Sequence, residues 1–500
     1  MPYTGNISYW VERNSAIFPA KTAVIDDRRR LTYKQLQERV SGLAAGLRAS
    51  GVKKGDRVAC LLYNCGEMVE LCFACARLGA LFVPLNWRLG EEELVFILRD
   101  CTPAVLVYDG PWEEKVKGIA GQADSMRLVK TGGDYEDMLA GSEETASHEP
   151  ETGGDDDLLI IYTSGTTGLP KGVVLTHDNV FWQTINGWSL GVSPDTVCLV
   201  LLPLFHVGGL NSSVTPMLHV GATVILHRAF DAKKVLAAVE EEKVTGIVAV
   251  PAIYQFLSEQ PEFQTRDLSS LEVLISGGAP LPHHLIELYH GKGFELRQGY
   301  GLTEASPGVT GMGPGECLAK AGTVGRQLPY TEVRIADGDG RALAAGVEGE
   351  ILVKGPNVMK GYWKREQETA QALEGGWLHT GDIGVMDGDG FVSIVGREKD
   401  MIISGGENIY PAEIEKILAG HPDVEMAAVV GRSDEKWGEV PVAVVVPRKE
   451  GLDPAALLRL LEGKLARYKI PKDFLFVKEL PVNAAGKVIK PEVKKKLGIT

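Results

Sequence analysis

The chain has 500 residues, of which 44% are hydrophobic and 24% charged, and its formal net charge at pH 7 is −14. Because single cores stop growing at roughly 250–300 residues, this length predicts two or three domains. The negative charge excludes a general nucleic-acid binder and means that a polyanionic ligand must be held by local cations and backbone N–H groups.

Cellular location is the next property that the sequence addresses. The longest apolar runs, such as Val197 to Phe205, are far shorter than the ~20 residues of a membrane-spanning helix. The first residues lack a basic region followed by an apolar stretch, so we expect no secretory signal. Seven unevenly spaced cysteines are typical of a reducing compartment, which predicts a cytoplasmic protein. Cys72 and Cys75 lie in an apolar segment, which predicts a buried helix rather than a zinc or redox site.

Helical and strand patterns alternate along the first part of the chain. Thr32 and Gln35 form a capping-box pair before an amphipathic helix. Gly132 to Asp157 is acidic and Gly-rich, which predicts a solvated surface loop. Alternation of strands and helices predicts an α/β fold with largely parallel sheets. The strand candidates are Arg57 to Tyr63, Leu158 to Tyr162, Thr223 to Leu226, Gly246 to Val250 and Leu271 to Ser276.

After about residue 320 the pattern changes to short strands separated by Asp-Gly turns, such as Asp387-Gly388. From Asp400 onward, a helix opened by Pro411, a strand at Val440 to Val446 and a helix from Pro454 to Leu465 predict a separate small α+β unit. We therefore predict an N-terminal domain over residues 1–397 and a C-terminal domain over residues 398–500.

The strongest chemical signal is a loop rich in glycine and hydroxyl residues that follows an apolar strand. Glycines let backbone N–H groups approach phosphate oxygens, hydroxyls add donors and lysine adds positive charge. The common phosphate loop, Gly-x-x-x-x-Gly-Lys-Ser/Thr, is absent, so the pattern indicates another kind of nucleotide loop. It reads Tyr162-Thr163-Ser164-Gly165-Thr166-Thr167-Gly168-Leu169-Pro170-Lys171-Gly172.

This loop is similar to the signature of the adenylate-forming (AMP-binding) superfamily. That superfamily includes acyl-CoA synthetases, aryl-acid CoA ligases, adenylation domains of peptide synthetases and firefly-type luciferases. The resemblance runs from about Thr32 to Lys490 and, through Asp400 to Glu413, is strongest to bacterial fatty-acyl-CoA ligases. It implies layered parallel-rich sheets with a small β-barrel in a large N-terminal domain, a mobile α+β C-terminal domain, and the use of ATP, Mg²⁺ and coenzyme A.

The resemblance also implies a nucleotide site. Tyr300 matches the adenine contact, Thr303 the α-phosphate contact and Glu304 the Mg²⁺ ligand, a metal that prefers one or two carboxylates plus phosphate oxygens. Asp382 matches the carboxylate that accepts from the ribose hydroxyls, and Arg397 a second ribose and phosphate contact. The implied ATP contacts are Thr163, Ser164, Gly165, Thr166, Thr167, Gly168, Lys171, Gly278, Ala279, Pro280, Gln298, Gly299, Tyr300, Gly301, Thr303, Asp382, Arg397 and Lys487.

Catalysis is implied to use a lysine of the C-terminal domain. Lys487 matches the residue that bridges the carboxylate oxygen and the α-phosphate as charge builds at phosphorus. Lys399 matches the hinge about which the C-terminal domain rotates between the two steps. Trp437 reads equally well as a domain-packing residue. The implied coenzyme A contacts are Ser404, Gly405, Gly406, Trp437, Tyr468 and Lys469.

The segment from Leu202 to Gly209 matches the acid pocket. His206 corresponds to an aromatic gate, although a lone histidine in an apolar stretch is also typical of a core. No aspartate between Leu201 and Asn211 could pair with a substrate ammonium, which disfavours amino acids. The implied acid-pocket residues are His206, Val207, Gly208, Gly209, Ser276, Gly277 and Tyr300.

The sequence thus predicts an ATP-dependent acid–CoA ligase that forms an acyl-AMP and then an acyl-CoA. Gly208 and Gly209 favour an open channel and therefore a medium- or long-chain fatty acid; an aryl acid of the cinnamate, ferulate, benzoate or succinylbenzoate type is the alternative. A carrier-protein adenylating module is disfavoured because no carrier domain follows Lys487, and an ATP sensor would not need both Lys487 and Glu304. We expect a monomer or homodimer with at most transient membrane-surface contact.

Overall fold

The structure is a computed structural model, and it describes residues 5–122, 126–140, 152–163, 170–404, 407–434, 437–449, 451–462, 464–465, 467–483 and 487–499. The strands are β1 (Thr22–Ile25), β2 (Arg30–Thr32), β3 (Arg57–Leu61), β4 (Leu81–Pro84), β5 (Val105–Tyr108), β6 (Arg127–Lys130), β7 (Asp157–Thr163), β8 (Lys171–Thr176), β9 (Val197–Val200), β10 (Thr223–Leu226), β11 (Gly246–Ala249), β12 (Val273–Ser276), β13 (Leu296–Gly301), β14 (Gly308–Gly311), β15 (Arg326–Gln327), β16 (Glu332–Ala336), β17 (Gly349–Lys354), β18 (Gly361–Tyr362), β19 (Leu378–Met386), β20 (Val392–Arg397), β21 (Ile402–Ser404), β22 (Glu407–Ile409), β23 (Val424–Asp434), β24 (Gly438–Pro447) and β25 (Asp473–Phe476).

The helices alternate with these strands, and short 3-10 turns at Thr303–Ala305 and Glu398–Asp400 and a π-helical turn at Leu210–Val214 interrupt the regular elements. The helices are α1 (Tyr9–Ile17), α2 (Tyr33–Ala49), α3 (Gly66–Leu78), α4 (Glu91–Cys101), α5 (Glu113–Ala120), α6 (Gly133–Ala140), α7 (His177–Trp188), α8 (Val207–Gly209), α9 (Thr215–Val220), α10 (Ala232–Glu241), α11 (Pro251–Ser258), α12 (Glu262–Thr265), α13 (His283–Gly291), α14 (Glu366–Ala372), α15 (Pro411–Ala419), α16 (Pro454–Leu461) and α17 (Lys490–Leu497).

Two large sheets form the body of the molecule. One has the strand order β18-β8-β7-β4-β3-β5-β6, and the other has the order β15-β14-β13-β12-β11-β9-β10-β1-β2. Their central strands pair in parallel. Helices cover parallel sheets on both faces, so the central strands are apolar throughout rather than alternating. The predicted α/β class with parallel-rich sheets is confirmed.

Several predicted elements occur where the sequence placed them. The side chain of Thr32 accepts from the backbone N–H of Gln35, whose side chain accepts from Thr32 N at 2.8 Å, so the capping box opens α2 as expected. The strand candidates correspond to β3, β7, β10, β11 and β12 within a few residues. Cys72 and Cys75 are buried in α3, as the apolar segment predicted.

The predicted solvated loop over Gly132 to Asp157 is wrong in part, because Gly133–Ala140 forms α6. Tyr135 is fully buried there and donates to Glu70 Oε2 at 2.8 Å. Its neighbour Met138 is buried on the same face, three residues further on, which is the helical spacing. The acidic composition concealed this narrow apolar face. Residues 141–151 lie outside the described part of the chain.

The predicted small β-barrel is an open sheet. Strands β16, β17, β19 and β20 form one antiparallel sheet in that order, and its two edge strands do not pair with each other in the ranges given above. Asp-Gly turns specify antiparallel hairpins, but closure depends on strand number and stagger. Turn residues carry no information about either quantity, so this part of the expectation fails.

A separate C-terminal domain follows. Strands β22, β21, β24 and β23 form a sheet to which β25 adds, and the clusters on its two faces use only residues between Ile402 and Ile499. Because these two hydrophobic clusters contain no residue before Ile402, they favour a domain boundary between Arg397 and Glu398. The boundary itself stays a prediction. Within the described residues, no helix has the length and apolar character required to cross a membrane.

Candidate active site

A buried carboxylate forms the centre of the site. Asp382 on β19 is only 4% exposed and lies opposite Arg397 on β20. Arg397 Nε lies 2.9 Å from Asp382 Oδ1, and the hydroxyl of Tyr300 on β13 donates to Asp382 Oδ2 at 2.7 Å. Burial, and then the charge of Asp382, holds the pKa of Tyr300 well above its usual value, so this hydroxyl stays a donor. Each carboxylate oxygen keeps a second lone pair for a ligand.

Lys487 of the C-terminal domain lies within the electrostatic range of this carboxylate. Its backbone N–H donates to Asn483 Oδ1 at 2.9 Å, and Asn483 N donates to Lys487 O at 2.7 Å. Burial, and then the positive charge of Arg397, lowers the pKa of Lys487 to about 8, although Asp382 opposes the shift. The side chain also retains exposed surface, so the ammonium lies in an open cleft crowded by charges rather than in a sealed core.

The cleft carries an excess of positive charge. Lys399, in the 3-10 turn after β20, adds a third cation, and burial followed by the charge of Arg397 lowers its pKa. Asp400 joins Asp382 among the anions that act on Lys487. Three cations therefore face two carboxylates within a chain of net charge −14. This is the local cation cluster that an anionic ligand requires in an acidic protein.

The predicted phosphate loop lies between two antiparallel strands. Thr163 ends β7 directly opposite Lys171, the first residue of β8. Lys171 Nζ lies 5.2 Å from the ring centre of Tyr362 on β18, which pairs with β8. Five predicted ATP contacts between β7 and β8 lie outside the described residues, so their role stays a prediction. They are Ser164, Gly165, Thr166, Thr167 and Gly168.

Tyr362 contacts both Lys171, at the end of the predicted phosphate loop, and Glu304, the predicted metal ligand. Sequence analysis did not identify Tyr362 as a site residue. Its hydroxyl donates to Glu304 Oε1 at 3.0 Å, while the backbone N–H of Met359 donates to Glu304 O at 2.8 Å. Thr303 begins the same 3-10 turn as Glu304. The aromatic pair of Tyr362 and Trp363 after a glycine was the available signal, but a strand of two residues has no detectable period.

Glu304 fits a magnesium ion that arrives with a nucleotide. Within the described ranges, no group of three or more His, Cys, Asp or Glu side chains could hold a metal ion alone. Mg²⁺ is usually bound by one or two protein carboxylates, with phosphate oxygens and waters completing its shell. One carboxylate held in place by a tyrosine hydroxyl matches that requirement.

The wall predicted for adenine lies at the adjacent ends of β12 and β13. Gln298 Nε2 donates to Ala279 O at 3.4 Å, and Gly278 has φ +80°, a conformation that favours glycine. A Cβ on Gly301 would lie 1.9 Å from Pro307 O, so no side chain fits there. The remaining predicted wall residues, Gly299 and Pro280, adjoin these positions in the chain.

His206 stands at the start of the predicted acid pocket. It precedes α8, and its Nε2 is buried without a hydrogen-bond partner among the described residues. Burial, and then the positive charge of Arg88, lowers the pKa of His206 to about 4. The imidazole is therefore neutral near pH 7 and suits an apolar gate rather than a proton donor. Val207, the next predicted pocket residue, is buried.

The predicted open channel at Gly208 and Gly209 gains no support at Gly209, whereas Gly208 has one flexible side chain near it. A Cβ on Gly209 would lie 2.2 Å from Pro203 O, and one on Gly208 would lie 3.3 Å from Leu202 Cδ1. The space beside Gly209 is filled by the protein's own backbone. This glycine permits close packing, so its presence gives no support for an alkyl channel.

The other side of the predicted acid pocket is the end of β12. Ser276 is fully buried, and its Oγ has no hydrogen-bond partner within the described residues. A Cβ on Gly277 would lie 3.5 Å from Gly299 O, so the backbones of the two predicted walls come close together here. The structure thus places the predicted acid and adenine residues at neighbouring strand ends.

Two of the predicted coenzyme A contacts lie close together in the C-terminal domain. Ser404 on β21 pairs with Gly438 on β24, which directly follows Trp437. Trp437 is 43% exposed, which a contact with a ligand or a partner surface requires. Gly405 and Gly406 lie outside the described residues.

The other two predicted coenzyme A contacts lie in the 3-10 turn Arg467–Lys469 of that domain. Lys469 Nζ forms an ion pair with Glu413 Oε2 at 2.6 Å, so its charge is already balanced. Tyr468 is exposed, with its ring centre 6.0 Å from Lys469 Nζ. The structure therefore favours Ser404 and Trp437 over Tyr468 and Lys469 as candidate coenzyme A contacts.

Comparisons with known proteins agree with this geometry. The family model described as AMP-binding enzyme matches residues 11–363, and the AMP-binding enzyme C-terminal domain matches residues 413–487. An indoleacetate–CoA ligase of Aromatoleum aromaticum is 45% identical over 496 residues, covering 98% of this chain and 97% of that protein. A long-chain-fatty-acid–CoA ligase of Mycobacterium tuberculosis is 39% identical over 501 residues, covering 99% of each. The O-succinylbenzoate coenzyme A synthetase of Bacillus subtilis, solved with ATP and a magnesium ion, has a TM-score of 0.88 at 34% identity and covers 97% of this chain and 99% of that chain.

Proposed function

Because the chain belongs to the AMP-binding enzyme family, we propose that it is an acid–CoA ligase that uses ATP, Mg²⁺ and coenzyme A. The observation that carries this proposal is the position of Lys487. A lysine of the C-terminal domain lies near enough to the pair formed by Asp382 and Arg397 in the N-terminal domain for both charges to act on its pKa. A protein that only bound ATP would not need a mobile cation at that point.

In the first half-reaction, a carboxylate oxygen attacks the α-phosphorus of ATP, and the bond to pyrophosphate breaks. Such a step depends mainly on positioning and charge neutralisation. We assign Lys171 to the β- and γ-phosphates, and Thr303 and Lys487 to the α-phosphate. Glu304 would hold Mg²⁺, which supplies charge neutralisation at the phosphates when bound. Asp382 would orient the ribose.

In the second half-reaction, the thiolate of coenzyme A attacks the acyl carbonyl and AMP leaves. Lys487 occupies the nucleotide cleft in this structure, so the thiol needs another arrangement of the C-terminal domain. We propose that the turn containing Lys399 is the hinge, and that Ser404 and Trp437 then line the path of the pantetheine arm.

We further propose that the acid carries an aromatic ring. The relative named for indoleacetate is 45% identical, whereas the relative named for long-chain fatty acids is 39% identical. The packing of Gly209 against Pro203 O removes the main sequence argument for an alkyl channel. A medium- or long-chain fatty acid is the second candidate substrate, because the relative named for long-chain fatty acids is 39% identical over nearly the whole chain.

A panel of acids tests both the proposed ligase reaction and the proposed aromatic substrate. We expect coenzyme A-dependent AMP formation to reach its highest kcat/KM with benzoate, coumarate, ferulate, indoleacetate or succinylbenzoate. A maximum on octanoate, laurate or palmitate would instead select the fatty-acid candidate and leave the ligase reaction intact. Absence of coenzyme A-dependent AMP formation with every acid would contradict the ligase itself.

Tyr362 provides a test of the metal assignment. Tyr362→Phe should raise the Mg²⁺ concentration needed for half-maximal activity by about tenfold, because the hydroxyl that positions Glu304 is lost. Tyr330→Phe, at a tyrosine that is 49% exposed, is the control. Titration of Mg²⁺ at saturating ATP is the measurement. An unchanged Mg²⁺ dependence would argue against Glu304 as the ligand.

We also propose a cytoplasmic location and small-molecule partners only. The seven cysteines are free thiols in the structure, which is the usual state in a reducing compartment. A monomer or homodimer, and a transient contact with a membrane surface, remain predictions from the sequence.

A further inference from the structure

A fully buried asparagine lies next to the predicted acid pocket without a polar partner. Asn211 is 0% exposed, and neither Oδ1 nor Nδ2 of its side chain has a hydrogen-bond partner among the described residues. Native proteins satisfy nearly all buried polar groups, so each exception needs an explanation. Here both the donor and the acceptor of one amide are unsatisfied, which is costlier than either alone.

The position of Asn211 points to a ligand. It lies in the π-helical turn Leu210–Val214, which directly follows α8, the helix that His206 precedes. Isolated π-helical turns are rare and are frequent at functional sites. Val207 and Asn211 are four residues apart, so their side chains lie on the same helix face. The asparagine therefore lies about one turn beyond Val207, a predicted acid-pocket residue, along the same face.

A second unsatisfied group occurs on a neighbouring element. The π-helical turn packs against β9 and β11. The last residue of β11, Ala249, is paired with Ser276 on β12, whose buried Oγ also lacks a partner among the described residues. The two buried side chains without partners, Asn211 and Ser276, thus belong to neighbouring elements next to the predicted acid pocket, while Leu210 and Val214 of the turn are fully buried and apolar.

We propose that Asn211 determines specificity in the acid pocket by hydrogen-bonding a polar group on the distal part of the acid. The substrates are then carboxylic acids that carry a ring hydroxyl, a ring N–H or a second carbonyl oxygen. A hydroxyl can donate to Oδ1 and accept from Nδ2, and an N–H can donate to Oδ1. A saturated alkyl chain offers neither, and would leave the amide buried and unpaired.

This inference rests on the proposed acid–CoA ligase function, and matched acids test it. The pairs are coumarate with cinnamate, 4-hydroxyphenylacetate with phenylacetate, and indoleacetate with 1-naphthylacetate. The wild-type enzyme should prefer the polar member of at least one pair by tenfold or more in kcat/KM, since sites built for a substrate OH or NH reject analogues that lack it. Asn211→Leu should remove that preference and keep the KM for ATP within a factor of two.

Asn186 supplies a matched control. It is equally buried, but its Nδ2 donates to Thr331 Oγ1 at 3.1 Å and its Oδ1 accepts from Tyr330 N at 3.0 Å. Asn186→Leu should lower the Tm of the ligand-free protein and leave the polar-to-apolar ratio unchanged. Asn211→Leu should not lower the Tm, because an apolar side chain of similar size replaces an amide that had no partner.

The outcomes are distinct. A loss of preference in Asn211→Leu without a loss of Tm supports the proposal. The proposal is overturned if Asn211→Leu keeps the preference for polar acids and its Tm falls as in Asn186→Leu. Asn211 would then be a structural residue whose amide is hydrogen-bonded by internal water. If Asn211→Leu does not fold, Asn211→Ala is measured by the same criteria. Activity confined to straight-chain acids also overturns the proposal, whereas absence of activity with every acid removes the ligase function itself.

Discussion

Replacing Lys487 by alanine should lower the rate of adenylate formation by about two to three orders of magnitude and spare thioester formation. The ammonium is placed among Arg397, Asp382 and Asp400 in the proposed nucleotide cleft, where charge builds at phosphorus only in the first half-reaction. Removing one such preorganised group typically lowers kcat by about 10²–10³-fold. We therefore expect acid-dependent exchange of pyrophosphate into ATP to fall by about that factor.

The second half-reaction separates this role from a general defect. Supplied acyl-adenylate and coenzyme A should give acyl-CoA at a rate within a few-fold of wild type, because the proposed domain rotation removes the lysine from the cleft before this step. Lys496→Ala, at an exposed lysine of α17, is the control for changes in the C-terminal domain. Equal losses in both half-reactions would show that Lys487 acts through domain stability or docking rather than at the α-phosphate.

Local rules let the sequence predict the hairpin beside the site but not the central pair itself. The Asp-Gly turns after Met386 indicate that β19 and β20 are antiparallel. A regular register would place Gly396 opposite Asp382, and a one-residue register shift between Ile383 and Gly384 places Arg397 there instead. The resemblance to the family, and not the turn pattern, therefore identified both residues. The capping box at Thr32 was predictable from local rules alone, since it depends on residues three apart.

Contacts that depend on tertiary packing could not be predicted. Tyr362 reaches Glu304 because the two-residue strand β18 adds to the edge of a sheet next to β8. Such a strand has no period, so nothing local indicates its partner. Asn211 reads as an ordinary polar residue, since neither its burial nor the π-helical turn is encoded in a local pattern.

Glycine was the least informative residue type. Gly208 and Gly209 were interpreted as open space, but a Cβ at Gly209 would collide with the carbonyl oxygen of Pro203. A glycine indicates that something comes close or that φ is unusual, and a sequence does not reveal whether the neighbour is a ligand or the chain itself. The substrate prediction depended on that distinction, which explains why the reaction was predicted more reliably than the acid.

The pH dependence of adenylation should identify Lys487 as the titrating group. Its pKa of about 8 means that the protonated, active form is lost as pH rises through that value. The kcat/KM for ATP in pyrophosphate exchange reports the free enzyme and should fall by about tenfold between pH 7 and pH 9. Lys487→Arg, which stays charged over this range, should lack this decline at whatever activity it retains.

Two neighbouring substitutions should move that decline in opposite directions. Asp382→Asn removes a negative charge that raises the pKa of Lys487, so the decline should shift to lower pH. Arg397→Gln removes a positive charge that lowers it, so the decline should shift to higher pH. At an effective dielectric constant near 20, removing one charge several Å away should shift the pKa of Lys487, and with it the midpoint of the decline, by about one pH unit or more. Both variants should also bind ATP less tightly, so the midpoint of each profile is the measurement rather than its height. A midpoint that moves in neither variant would assign the titration to another group and remove the electrostatic coupling between Lys487 and the pair of Asp382 and Arg397.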